Sequence, residues 1–343
     1  MLRTEQGHIS LKPSFIGYWL LMLIVTMGLT GCVTSAALSP TAFESHANAV
    51  TVPYRISSAG RIVLDVAIND NEPKPFILDT GANISVIYEG FSEDMDLQPT
   101  GETVLVRGLV AIGRRPIIEN VEFTIGEDNL RTSRIAVLET PPVRDGAVGL
   151  LGTDVLSDYV VLFNKESLMA TLIPSEQSDP EFFDGWRTIP LKNNAKGRSD
   201  IGLYFGETLI NRTMVQVLID TGSNSNFINW RLATINNNVK RFERNLRKKG
   251  KLQGALESTA LKMDTVLTEL EIGQKYWSEI DVTVIELDPL ITIAPVDRPM
   301  MIAGAGMFTP WTIAFDFGRN KIHIFPHEGD VKPPEHYWGY TPP

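Results

Sequence analysis

Apolar and polar positions alternate along much of this chain, as in Ile62, Leu64, Val66 and Ile68, and elsewhere they give way to short unbroken apolar runs such as Phe76–Leu78 and Val217–Ile219. Alternation marks strands with one buried face, and short apolar runs bounded by turn residues mark strands buried on both. The expected fold is therefore mostly β. Two stretches depart from it. Phe15–Leu29 is almost continuously apolar, and Trp230–Lys251 reads as a short helical insertion in the second half of the chain.

Each of the two apolar runs ends in the same tripeptide, Asp79-Thr80-Gly81 and Asp220-Thr221-Gly222, and each copy is followed by a small residue and Asn. The landmarks after them repeat in order. Gly108, Gly126 and Gly152 follow the first copy at steps of 29, 18 and 26 residues; Gly254, Gly273 and Gly304 follow the second at steps of 34, 19 and 31. Past the last glycine, Tyr159–Asn164 corresponds to Trp311–Asp316. One such tripeptide is an ordinary turn, but two in matching contexts indicate a duplicated lobe that carries a carboxylate at the end of a buried strand.

Two carboxyl groups about 3 Å apart cannot both ionise cheaply, so they share a proton and titrate as a pair. Water held between Asp79 and Asp220 would then lose a proton to the ionised partner while attacking a carbonyl, and the protonated partner would stabilise the oxyanion. Gly81 and Gly222 would let the chain turn sharply and aim N–H groups at the carboxylates. Ser223 is placed to donate to Asp220, whereas Ala82 has no hydroxyl to offer Asp79.

These residues resemble the aspartyl proteases, over roughly Tyr54 to Phe325. Ala82 after the first glycine is similar to the retropepsin form and Ser223 after the second to the pepsin form. The resemblance implies a two-lobed pepsin-like/retropepsin-like acid protease barrel fold with a shared cleft, with the Thr80 and Thr221 hydroxyls interlocked beneath the aspartates. It implies an aspartic endopeptidase acting on a polypeptide substrate, resembling a bacterial single-chain enzyme with retropepsin-like lobes fused in tandem. The segment Val106–Val110, with Arg107, Gly108 and Leu109, reads as a hairpin that is either a plain turn or a flap; Gly254 marks its counterpart. Retroviral relatives have a flap on each lobe and pepsins one with a tyrosine, and no tyrosine lies between Tyr88 and Tyr159.

The N-terminal apolar run is short for a membrane span and suits an export signal, preceded by Arg3 and Lys12. Its Leu29-Thr30-Gly31-Cys32 ending resembles a bacterial lipobox, and Cys32 is the only cysteine in the chain. The expectation is a signal over residues 1–31, lipidation of Cys32, and a flexible tether over 32–52. Lobes over 53–175 and 183–327 and a Pro- and aromatic-rich tail over 328–343 complete the expected organisation. Val33 after the cysteine favours, by the family rule, the periplasmic face of the outer membrane.

Composition narrows the remaining choices. Without disulfides the lobes must be held by packing, and 343 residues with 43% hydrophobic content suffice for two cores. The net charge of −10 makes nucleic acid a poor partner, leaving the basic residues of 230–251 as a solvated helix face or a contact for anionic lipid headgroups or an acidic envelope polymer. Five histidines in all, with His323, His327 and His336 near the C-terminus, give no metal-site pattern or catalytic triad. No cofactor is expected, and a monomer is. The alternative to an enzyme is a lipid-anchored binding or scaffold protein with this fold and no turnover.

Overall fold

The computed structural model describes residues 37–69, 71–107, 112–131, 134–141, 146–193, 202–210, 213–235, 249–253, 259–285 and 298–326. Ala37–Pro343 forms one compact unit. It is mostly β, with the two-lobed pepsin-like/retropepsin-like architecture.

The two lobes repeat one topology. In the first, strand Ile62–Ile68 forms a hairpin with Lys74–Leu78, which delivers Asp79. Gly149–Leu151 runs parallel to Lys74–Leu78 and antiparallel to Val86–Tyr88, the short strand after the Asp-Thr-Gly turn. In the second, Tyr204–Ile210 forms a hairpin with Thr213–Asp220; Met300–Gly304 runs parallel to the latter and antiparallel to Asn226–Ile228. Each aspartate strand is flanked by paired strands and covered on both faces, so Phe76, Ile77, Leu78, Val217, Leu218 and Ile219 are all buried, with Val217 and Ile219 in the main core and Leu218 in a second apolar cluster. The unbroken apolar runs of the sequence have that cause.

A six-stranded antiparallel sheet joins the lobes, in the order Arg187–Pro190, Lys321–Ile324, Ile313–Asp316, Tyr159–Asn164, Met169–Pro174 and Val50–Ile56. Its two central strands are the repeated segments that follow the last glycine of each half, with Val161 opposite Phe315 and Phe163 opposite Ile313. Phe163 and Phe315 meet edge to face at 6.2 Å, and Tyr54, Phe308 and Phe317 extend the aromatic core. Since each half contributes three strands, the lobes are not separable units.

Two expectations need correction. Ala37–Val52 is not a tether: Pro40–Glu44 is a helix capped by Ser39, and strand pairing begins at Val50. Phe43, fully buried, packs against Phe182 and Phe183, the indole of Trp186 donates to Leu38 O at 3.0 Å, and Glu44 accepts from Asn164 at 2.7 Å. Nor is Trp230–Lys251 one helix. The helix covers Trp230–Ile235, and Lys249–Gln253 is a strand paired with Thr259–Met263. Residues 236–248 and the tail over 328–343 lie outside the described residues, as do the signal, Cys32 and residues 32–36. No helix among the described residues is long and apolar enough to cross a membrane.

Candidate active site

The two Asp-Thr-Gly turns meet at the floor between the lobes. Their threonines are fully buried and clasp each other. Thr80 N–H donates to the Thr221 hydroxyl oxygen and Thr221 N–H to that of Thr80, both at 3.1 Å. Each hydroxyl then donates to a carbonyl of the opposite aspartate strand, Thr80 to Ile219 at 2.8 Å and Thr221 to Leu78 at 2.7 Å. Four bonds with fully satisfied buried partners fix one turn against the other.

Above this clasp the aspartates are brought together. A Cβ placed on Gly81 would lie 2.5 Å from the Asp220 carboxyl carbon, and one on Gly222 would overlap the Asp79 carboxyl. Each carboxyl therefore rests on the bare backbone of the other lobe's turn, a space that only glycine leaves open. The two carboxyls also share a hydrogen bond. Gly81 N–H donates to Asp79 Oδ1 at 2.8 Å, and Ser223 N–H to Asp220 Oδ1 at 3.0 Å. The Ser223 hydroxyl does not reach Asp220; it donates to Ser225 O at 2.8 Å, which corrects the role expected of it.

Burial raises the pKa of both carboxyls, and the charge of Asp79 lifts Asp220 further, to well above the ordinary carboxylate range. Asp79 is held back by the Gly81 N–H, the hydrogen bond from Asp220 and the positive charge of Arg61. A pair so arranged holds one proton between two unequal carboxyls, one fit to donate and the other to accept.

Supporting residues that the sequence reading missed stand behind each turn. Ser85 and Asn226, each six residues after its aspartate, accept from the N–H of Gly152 at 3.0 Å and of Gly304 at 2.8 Å. Asp154 takes the Ser85 N–H and hydroxyl at 2.9 and 2.7 Å, and burial raises its pKa. The signal was present as a shared six-residue offset in the duplicated halves. Arg61 gave none.

Both lobes carry a hairpin at the flap position. Thr103–Arg107 pairs with Ile112–Glu119, and Lys249–Gln253 with Thr259–Met263. Arg107 closes the first strand; Gly108, Leu109 and Gly254 lie outside the described residues. Among the described residues no cluster of metal-ligating side chains occurs. His323 is buried in the interlobe sheet, stacked on Phe183 at 4.0 Å, and burial pushes its pKa down to about 3.

Residues 64–155, from the hairpin before Asp79 to the helix after Gly152, match the family model described as aspartyl protease. The matched stretch holds the first Asp-Thr-Gly turn and the strands that flank it, so the first lobe is similar to an aspartyl protease. Among solved structures 403 chains match, one being the crystal structure of basic 7S globulin from soybean. That likeness has a TM-score of 0.46 and 10% identity, over 81% of this chain and 95% of the globulin. No curated protein matches the chain.

Proposed function

We propose that this chain is an aspartic endopeptidase that hydrolyses extended polypeptide segments with a water activated between Asp79 and Asp220. The observation that carries the reading is the crossed seating of the carboxyls, each on the other lobe's glycine, with a hydrogen bond between them. A binding module has no need to bury two carboxyls in mutual repulsion, an arrangement that costs stability and that active sites use to shift pKa. Asp79, with the lower pKa of the pair, takes the proton of the attacking water, and Asp220 donates to the developing oxyanion. The paired hairpins of the two lobes would close over a substrate strand and hold it by backbone hydrogen bonds.

The test is incubation of a soluble form starting after Val33 with a diverse peptide pool between pH 3 and 8, read by mass spectrometry. Internal cleavage suppressed by a statine-type transition-state mimic is expected. Absence of cleavage at every pH would sink the reading and favour a non-catalytic binding or scaffold protein.

We further propose that the enzyme acts as a monomer in the cell envelope, anchored by lipid on Cys32 at the periplasmic face of the outer membrane. The Leu29–Cys32 ending of an apolar run supports this reading. Labelled palmitate should enter the full chain expressed in a Gram-negative host and be absent from Cys32→Ser. Equal labelling of the two would exclude lipidation at that position.

A further inference from the structure

The duplicated lobes allow a position-by-position comparison of what stands behind each aspartate. Val63 lies opposite Ile77, two residues before Asp79, and Phe205 opposite Leu218, two residues before Asp220. Val63 and Phe205 are therefore equivalent, and so are the residues two before them, on the same side of the strand: Arg61 and Leu203. Leu203 is buried in an apolar cluster with Phe205, Leu218 and Phe227. The first lobe puts a guanidinium where the second puts a hydrocarbon.

The Arg61 side chain crosses the lobe boundary. Its Nη1 donates to Gly222 O at 3.4 Å, the carbonyl of the very residue on which the Asp79 carboxyl rests. The turn that carries it is tied at both ends, with Ser57 N–H donating to Arg61 O at 2.9 Å and Arg61 N–H to the Ser57 hydroxyl at 3.3 Å. A half-buried cation thus sits on one side of an otherwise two-fold arrangement. The charges acting on the pair are that of Asp79 on Asp220 and that of Arg61 on Asp79.

We propose that Arg61 is a positioning residue that makes the dyad asymmetric, holding the negative charge on Asp79 and leaving the shared proton on Asp220. Without it the two carboxyls differ only in their turn N–H donors, and the proton is divided more evenly between them. A nearby cation favours the charged form of a carboxyl, so it extends the ionised dyad to lower pH. Arg61 thereby sets the acid side of the working range without touching the water or the substrate.

The kinetic arm of the test rests on the endopeptidase reading; a second arm does not. Arg61→Leu installs the residue of the other lobe, Arg61→Gln removes the charge but keeps a donor, and Arg61→Lys keeps the charge. In kcat/KM against pH, the Leu and Gln variants should move the acid limb upward by about one pH unit, the low end of a close opposite charge. At a fixed pH below that limb they lose about tenfold. Lys should follow the parent. Independently of turnover, carboxyl-carbon NMR of the 13C-labelled full chain should show Asp79 titrating at higher pH in Leu and Gln, with a narrowed gap to Asp220. A Leu or Gln variant whose carboxyl titration and acid limb match the parent, with only lowered thermal stability, would make Arg61 a lobe clamp and overturn the proposal. An Lys variant shifted as far as Leu would overturn it too.

Discussion

Asp79→Asn and Asp220→Asn should each lower peptide cleavage by about 10³-fold or more and, at neutral pH, raise the thermal midpoint. The loss follows from removing the acid or the base of a proton-transfer pair, a contribution of roughly 10²–10⁴-fold, together with the electrostatic asymmetry the pair provides. The double variant should be little worse than either single one, since groups that act as a unit do not contribute additively. Asparagine keeps an oxygen for the Gly81 and Ser223 N–H donors, and the threonine clasp does not involve the carboxyls. The stability gain has a definite sign. Both folded-state pKa values lie above the unfolded ones, so the native state holds protons that the unfolded chain has released. Stability is then lost as pH rises from the ordinary carboxylate range through the raised one, at about 1.4 kcal/mol per unit of elevation. Each single asparagine variant loses one carboxyl's share of this slope and the double variant all of it, so their advantage should appear toward neutral pH and vanish below about pH 4. Melting curves from pH 3 to 8 beside cleavage assays measure both effects. Full activity in either variant would remove the dyad from the chemistry, and lower melting at neutral pH would overturn the raised pKa values.

What could be read from the sequence was whatever depends on local period and on duplication. The aspartate strands, their turns and the paired central strands of the interlobe sheet each left an apolar run in both halves, because a strand walled on both faces must be apolar along its length. What could not be read depends on which residues meet in space. Pro40–Glu44 stands in an Ala- and Ser-rich stretch, and its fate was decided by Phe43 fitting between Phe182 and Phe183. Lys249–Gln253 carries helix-compatible basic residues, yet it is held as the last strand of its sheet, where lysine is a common guard against further pairing. Ser223 occupies the same offset as Ala82, but the local turn gives its hydroxyl a nearer acceptor in Ser225 O. Arg61 lies 18 residues before Asp79 in a polar turn, and only the register of the first hairpin brings it beside the dyad.

Gly222→Ala should disrupt the dyad directly, by a single added methyl. The added Cβ would fall under 3.0 Å from all three atoms of the Asp79 carboxyl, and neither side can yield easily. On one side Thr221 is pinned to Thr80 and Leu78; on the other Asp79 follows a buried strand and is tied by its own N–H to Leu151 O at 2.9 Å. The turn must move by about an ångström or the carboxyl must leave its position, and a misplacement of that size costs roughly 10²-fold in rate. Forcing a methyl into the packed floor should also cost about 1–3 kcal/mol of stability. Gly81→Ala should behave alike, since its Cβ would meet the Asp220 carboxyl at 2.5 to 2.9 Å. Gly306→Ala is the control, because nothing lies within 4 Å of its added methyl. Cleavage rates and chemical denaturation of the three variants separate the effects. If Gly222→Ala retained the parent's rate, the two carboxyls would not need the close seating that the geometry gives them, and a dyad sharing one water and one proton could not be the working unit.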